Sequence, residues 1–194
     1  MGRPDLTAVR TAEILDAFER CVARFGLEGS SLERVAEEAG MKRSILRHYV
    51  GNREDLVQAL AERVVSKYRQ RFDDFRESAS AEKLPDQLIE FFFPKQPLES
   101  AESILVVEAL IAAGDEYPAV QTLMLDYVDD LVSGTAAELQ KAFPGASRAR
   151  CGEVAYGVVS ICFNQESLAP LGLAPRYLRS ARNCSRILIE SLES

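Results

Sequence analysis

The chain is expected to be all-α, and three features of its 194 residues lead there. Apolar residues recur at three- and four-residue spacing almost throughout, and hardly any stretch alternates with the period of two of a half-buried strand. Proline and glycine breaks punctuate that pattern at intervals that suit helices. Several of the breaks also carry capping signatures.

The first helix runs from about Thr7 to Phe25, with Ile14, Phe18, Cys21, Val22 and Phe25 on one face, and "GLEGS" stops it. In "SSLERVAEEAG" Ser30 and Glu33 have capping-box spacing, with Ser31 as an alternative cap. Leu32, Val35, Ala36 and Ala39 form the stripe of this short second helix, and Gly40 stands where a C-terminus favours a left-handed residue. A third short helix offers Ile45, Leu46, Tyr49 and Val50 for packing and ends at "VGN". Asn52, with Asp55 three residues on, caps a long fourth helix reaching about Phe75. Helices follow over roughly Pro85 to Phe93, Leu98 to Gly114, Pro118 to Phe143, Arg148 to Leu168 and Pro175 to Leu192, separated by "PKQP", "PGAS" and "APLGLAP".

Composition narrows the function classes. The formal net charge is −7, of which residues 1–57 hold only −1. An acidic body is a poor nonspecific binder of polyanions, so any nucleic-acid contact belongs to the N-terminal part. His48 is the only histidine, and Cys21, Cys151, Cys162 and Cys184 are widely spaced with no CxxC pair. Imidazole-rich metal sites and histidine-based triads therefore lack raw material, and neither a metal, a cofactor nor a catalytic residue is assigned. Asp129 and Asp130 read as solvated surface. No apolar run is long enough to span a bilayer, the start "MGRPDLTAVR" has no apolar signal core, and the cysteine usage suits a reducing cytoplasm.

One segment departs from the acidic background. Between Gly40 and Arg53 there is no acid, while Lys42, Arg43, Arg47, His48 and Arg53 crowd around Tyr49. Two short helices joined by a glycine turn outline a helix-turn-helix, whose second helix enters the DNA major groove. Long donors for base edges and positive charge for phosphates are what such a helix needs.

Residues 10–57 resemble the DNA-binding domain of TetR-family transcriptional regulators. The resemblance lies in an apolar first helix ending in Phe-Gly, the serine pair opening helix two, "VAEEAG" before the turn, an aromatic-bearing third helix and Arg53-Glu54 opening the fourth. The chain departs from the family at Arg47, where tyrosine is usual, Tyr49 for histidine, Val50 for phenylalanine and Arg53 for lysine. Operator preference is therefore not transferable. Position by position, the resemblance implies that Arg43, Ser44 and Arg47 approach bases, with Ile45 an apolar contact to a thymine methyl. Lys42, His48, Tyr49, Arg53 and Ser31 would hold phosphates. Arg3 is a candidate for a flexible arm on the DNA, or for a disordered terminus.

The resemblance further implies a helix-turn-helix domain over 1–51 and a helical ligand-binding and dimerisation domain over 52–194. The last two long helices would form a four-helix bundle in a homodimer. "CGEVAYGVVSICF" is apolar nearly all round, Gly152 and Gly157 permit close approach, and the last helix brings Tyr177, Ala181, Cys184, Leu188 and Leu192. A small-molecule effector is expected in the C-terminal part. Candidate ligand contacts are Phe92, Leu105, Glu108, Tyr127, Tyr156, Phe163 and Asn164; Glu108 stands out because it interrupts the apolar run from Ile104 to Ala113. The expected function is a homodimeric repressor of a double-stranded operator, released by its ligand. A ligand-dependent activator, or a helical interaction protein without DNA binding, is the alternative.

Overall fold

The computed structural model describes residues 6–96 and 99–193, and every regular element within them is helical. In chain order these are α1 (Leu6–Gly29), α2 (Leu32–Glu38), α3 (Arg43–Val50), α4 (Arg53–Ser78), α5 (Leu84–Phe92), α6 (Ala101–Ala112), α7 (Pro118–Ala142), α8 (Arg148–Ser167) and α9 (Pro175–Glu190). Short 3-10 turns at Ala81–Lys83 and Ala169–Leu171 precede α5 and α9. Arg3, expected in a DNA arm, and Leu98, expected at a helix start, lie outside the described residues.

Local chemistry explains where most helices begin and end. The backbone of α1 leaves helical geometry at Gly26, one residue after the expected stop. Ser31 rather than Ser30 caps α2, its Oγ accepting from the Arg34 amide at 3.3 Å. Ser30 is buried instead and its hydroxyl donates to the Gly26 carbonyl at 2.7 Å. At Asn52 the capping box is complete. Its Oδ1 accepts from the Glu54 and Asp55 amides at 2.7 and 3.1 Å, and Asp55 Oδ2 accepts from the Asn52 amide at 2.8 Å. Gly40 and Gly51 hold φ of 64° and 74° at the two turns flanking α3, a region that side chains with a Cβ rarely enter. The sixth helix starts later than its apolar run suggested, because Ser100 caps it by accepting from the Ser103 amide at 3.1 Å.

The chain folds into two compact units that are not consecutive in sequence. The first takes the residues up to Ser66 together with Glu99–Met124, so that α6 joins the N-terminal helices. There α1, α2 and α3 pack on one another and α6 lies along α1. Ile14, Phe18, Val35, Leu46, Leu56, Leu60 and Leu110 are wholly buried in it. The Arg63 guanidinium bonds Asp16, and Arg63 Nε stands 3.2 Å from Glu19, tying α4 to α1.

The second unit holds the C-terminal part of α4, then α5, most of α7, α8 and α9. Its core gathers Leu84, Leu88, Ile89, Phe93, Leu139, Val158 and Ile189 with an aromatic group of Phe72, Phe75, Phe91 and Phe92. The α8 helix faces this core with Cys151, Val154, Ala155, Val158, Val159 and Cys162. From α9, Arg186 pairs with Asp86 and Arg182 with Glu90 of α5 at 2.8 and 2.9 Å.

Candidate nucleic-acid interface

The α3 helix is amphipathic in a way that leaves no choice of face. Leu46 and Val50 are its buried residues, at 0% and 7% exposure, and they seat it on α1 and α2. The side chains of Lys42, Arg43, Ser44, Ile45, Arg47 and His48 are all exposed, so cations, a hydroxyl and one apolar group share the outward surface. Tyr49 is half-buried and meets the His48 ring edge-on at 5.2 Å between centroids. Of the nominated cluster, Lys42, Arg43, Ser44, Ile45, Arg47 and His48 are thus gathered on α3 and its N-cap and face solvent, while Ser31 caps α2 and Arg53 opens α4.

Helix α2 is held just as firmly. Glu38 near its C-terminus accepts from Arg20 Nε of α1 at 2.6 Å, with Arg24 at 3.5 Å. The Arg20 hydrogen bond holds the Glu38 carboxyl below the ordinary carboxylate value, and Glu38 in turn raises Arg20. At the other end Arg34 bonds the Gly29 carbonyl and lies 4.4 Å from the Phe25 ring centroid, covering a half-exposed aromatic.

Two side chains are engaged in ways the sequence did not foretell. Arg53, nominated for phosphate, turns inward. Its Nη1 donates to the Ser30 carbonyl at 2.7 Å and its Nη2 to the Leu27 carbonyl at 2.5 Å. The Leu27 carbonyl belongs to the last turn of α1 and that of Ser30 to the α1–α2 connection, so Arg53 ties the start of α4 to the end of α1. Arg43 is exposed, yet its Nη1 stands 2.5 Å from Oε1 of Glu33 on α2. No local pattern announces either contact, since each joins residues on different helices.

Of the residues nominated for a ligand, Phe92, Tyr127 and Phe163 share the hydrophobic cluster of the second unit. Leu105 and Glu108 lie on α6 in the first unit, exposed and half-buried respectively, while the other five belong to the second. Val106 and Leu110, not Glu108, are the buried positions of α6. Phe92 is a core residue, Phe163 is half-buried, and Tyr156 and Asn164 face solvent. Tyr127 stacks on Tyr68 at 5.9 Å, and burial pushes its phenol well above the ordinary range. A polar cleft of about 200 Å³ between α1 and α6, lined by Asp16, Glu19, Arg20, Ser100, Glu102 and Ser103, contains none of the seven. Among the described residues no acid, histidine and cysteine group has the geometry to hold a metal, and no helix is long and apolar enough to cross a membrane.

A family model described as bacterial regulatory proteins, tetR family, matches residues 14–60. The transcriptional repressor AcnR of Corynebacterium glutamicum is 41% identical over 49 residues, 25% of this chain and 26% of that protein. The transcriptional regulator BetI of Burkholderia cenocepacia is 31% identical over 65 residues, 34% of each. The chain thus aligns with about a quarter to a third of the length of these curated relatives. Likeness of fold reaches further. A TetR transcription regulator from Haloarcula marismortui superposes with a TM-score of 0.77 at 15% identity, covering 95% of this chain and 98% of that one. A protein from Saccharomonospora viridis, described as a transcriptional regulator and solved in complex with choline, gives 0.76 at 16% identity, covering 94% and 96%.

Proposed function

We propose, from the match of residues 14–60 to the tetR-family model and the likeness of fold to TetR regulators, that the chain is a TetR-family homodimeric repressor that binds a palindromic operator and is released by a small-molecule effector. The observation that carries this reading is the outward face of α3, where Lys42, Arg43, Ser44, Ile45, Arg47 and His48 stand on a root of buried Leu46 and Val50. Arg43, Ser44, Ile45 and Arg47 are assigned to base edges, and Lys42, His48, Tyr49 and Ser31 to phosphates. Arg53 positions the reading head through the carbonyls it holds. Residues 1–51 are the DNA-reading domain in this account, and 52–194 carry effector binding and dimerisation.

Dimerisation is supported by what α8 and α9 leave in water. Tyr177, Cys184 and Ile187 are exposed at helical spacing on α9, and Tyr156 is 65% exposed on α8. Covering a large apolar side chain is worth about 1.5–3 kcal/mol, which makes this surface a favourable seat for a second copy. Close packing of α8 on α9 is permitted by Gly157, where a Cβ would lie 3.0 Å from Leu188, while Gly152 has open space above it. A two-fold dimer presents two reading heads to half-sites one helical turn apart.

For the effector, the Saccharomonospora protein's complex with choline supports a small molecule as the class. Phe92, Tyr127 and Phe163 of the second unit are the retained candidates for its contacts. Control follows from linkage: an effector favouring a conformation with misplaced heads lowers DNA affinity, and DNA lowers effector affinity equally. Helix α4 belongs to both units and is the element through which that linkage would run.

The test is selection of genomic fragments by the purified chain, beside an Arg43→Ala, Arg47→Ala double variant. Enrichment of a short inverted repeat by the native chain alone supports the reading. No enrichment at low salt, with both proteins alike, overturns it.

A further inference from the structure

A carboxylate on a surface meant for DNA is an oddity, and Glu33 is one. It is the second residue of α2, its side chain is 60% exposed, and its Oε1 lies 2.5 Å from Nη1 of Arg43, the first residue of α3. Arg43 is itself 53% exposed. An ion pair so open to water adds little to the stability of the fold. Its consequence must lie in what Arg43 can do when a duplex arrives.

We infer that Glu33 is a specificity-determining residue that acts through Arg43, restraining its guanidinium unless a base edge offers two acceptors. The inference rests on the reading of α3 as the DNA-contacting helix. A guanidinium carries five N–H donors in a planar fork. One edge can stay on Glu33 while the other meets O6 and N7 of a guanine, the bidentate pattern that the major groove presents. Against any other base no such pair of acceptors exists, and Arg43 stays with Glu33 as a neutral couple. That couple contributes nothing to phosphate neutralisation, which supplies nearly all nonspecific affinity. Without Glu33 the arginine is free to swing to the backbone of any sequence. Glu33 thus lowers binding to wrong DNA more than to the operator, a specificity gained through a repulsive group.

The experiment is a fluorescence-anisotropy titration of the full chain against its selected operator and a random duplex at several salt concentrations. Native protein, Glu33→Gln, Arg43→Ala and the double variant are compared. Glu33→Gln is expected to tighten random-duplex binding and to steepen its log–log salt slope by about one per reading head. The ratio of operator to random affinity falls by about tenfold, the loss lying at the base pair read by Arg43. In the Arg43→Ala background the same substitution leaves that ratio unchanged. Thermal melting of all four proteins checks that the fold is intact. An unaltered ratio in Glu33→Gln, or an equal fall whether or not Arg43 is present, overturns the inference while leaving the DNA reading standing. Failure of the native chain to bind any duplex overturns both.

Discussion

Nη1 of Arg53 donates to the main-chain carbonyl of Ser30 at 2.7 Å, bridging 23 residues of sequence, while Nη2 reaches Leu27. One side chain at the start of α4 thereby engages two carbonyls, one in the last turn of α1 and one in the α1–α2 connection. Arg53→Ala should lower stability by about 1–3 kcal/mol, because it leaves both acceptors short of a charged donor. Arg53→Lys should rescue only part, since an ammonium is a point charge and not a fork. Thermal or urea denaturation of the three proteins checks this, and equal stability for Ala and Arg would dismiss the clamp.

Helices α4 and α7 approach closely at Gly134. A Cβ there would stand 2.5 Å from Cε1 of Phe72. The Phe72 ring cannot retreat freely, being packed against Phe75 and Phe91 at 6.0 and 5.7 Å between centroids. Replacing a mid-helix glycine by alanine ordinarily stabilises by about 1 kcal/mol, whereas overpacking costs about 1–3 kcal/mol. The clash should win, giving Gly134→Ala a lower melting temperature than the native chain. A higher one would mean that the helices separate at no cost.

Acid should loosen α2 from α1. The Arg20 hydrogen bond holds the folded-state pKa of Glu38 below its ordinary value of 4.5. A depressed carboxyl contributes stability above its unfolded-state value and loses it as pH falls through the folded one. The contribution of this pair should therefore be complete above about pH 5 and fade below pH 4.5. Urea midpoints between pH 3 and 6 should show a flatter pH dependence for Glu38→Gln than for the native chain. Parallel curves would assign the acid sensitivity elsewhere.

The dimer surface can be read through thiols. Cys21, Cys151 and Cys162 are at most 5% exposed, and burial raises their pKa values, so each should react slowly with a disulfide reagent. Cys184 is exposed on the single chain, in the α9 stripe with Ile187. In the proposed dimer that stripe is covered, and native protein at micromolar concentration should show no fast-reacting thiol. Ile187→Asp should unmask one per chain as the dimer separates. A fast thiol already present in the native protein would argue against that interface.

What was legible beforehand was local. The Asn52–Asp55 capping box, the left-handed turn at Gly40, and the packing of Leu46 and Val50, two of the four residues α3 offered, are each decided by residues within a turn or two of one another, whereas Ile45 of the same four is exposed. The outward set on α3 follows from that pair, because helical periodicity puts the remaining side chains on the opposite face. The choice between Ser30 and Ser31 as cap was not legible, since both have a suitable hydroxyl. Burial of Ser30 against the Gly26 carbonyl settles it, and that burial is tertiary.

By itself, then, the sequence determined the helical class, the order of the helices and the placing of a basic exposed face on the third, because periodicity and capping act over a few residues. The tertiary structure alone decided that α6 lies on α1, that Arg53 turns to the carbonyls of Leu27 and Ser30, that Glu33 meets Arg43, and that Gly134 admits Phe72. Each of these joins residues on different elements. Their meeting depends on how buried faces pack in three dimensions, and one-dimensional spacing carries no record of it.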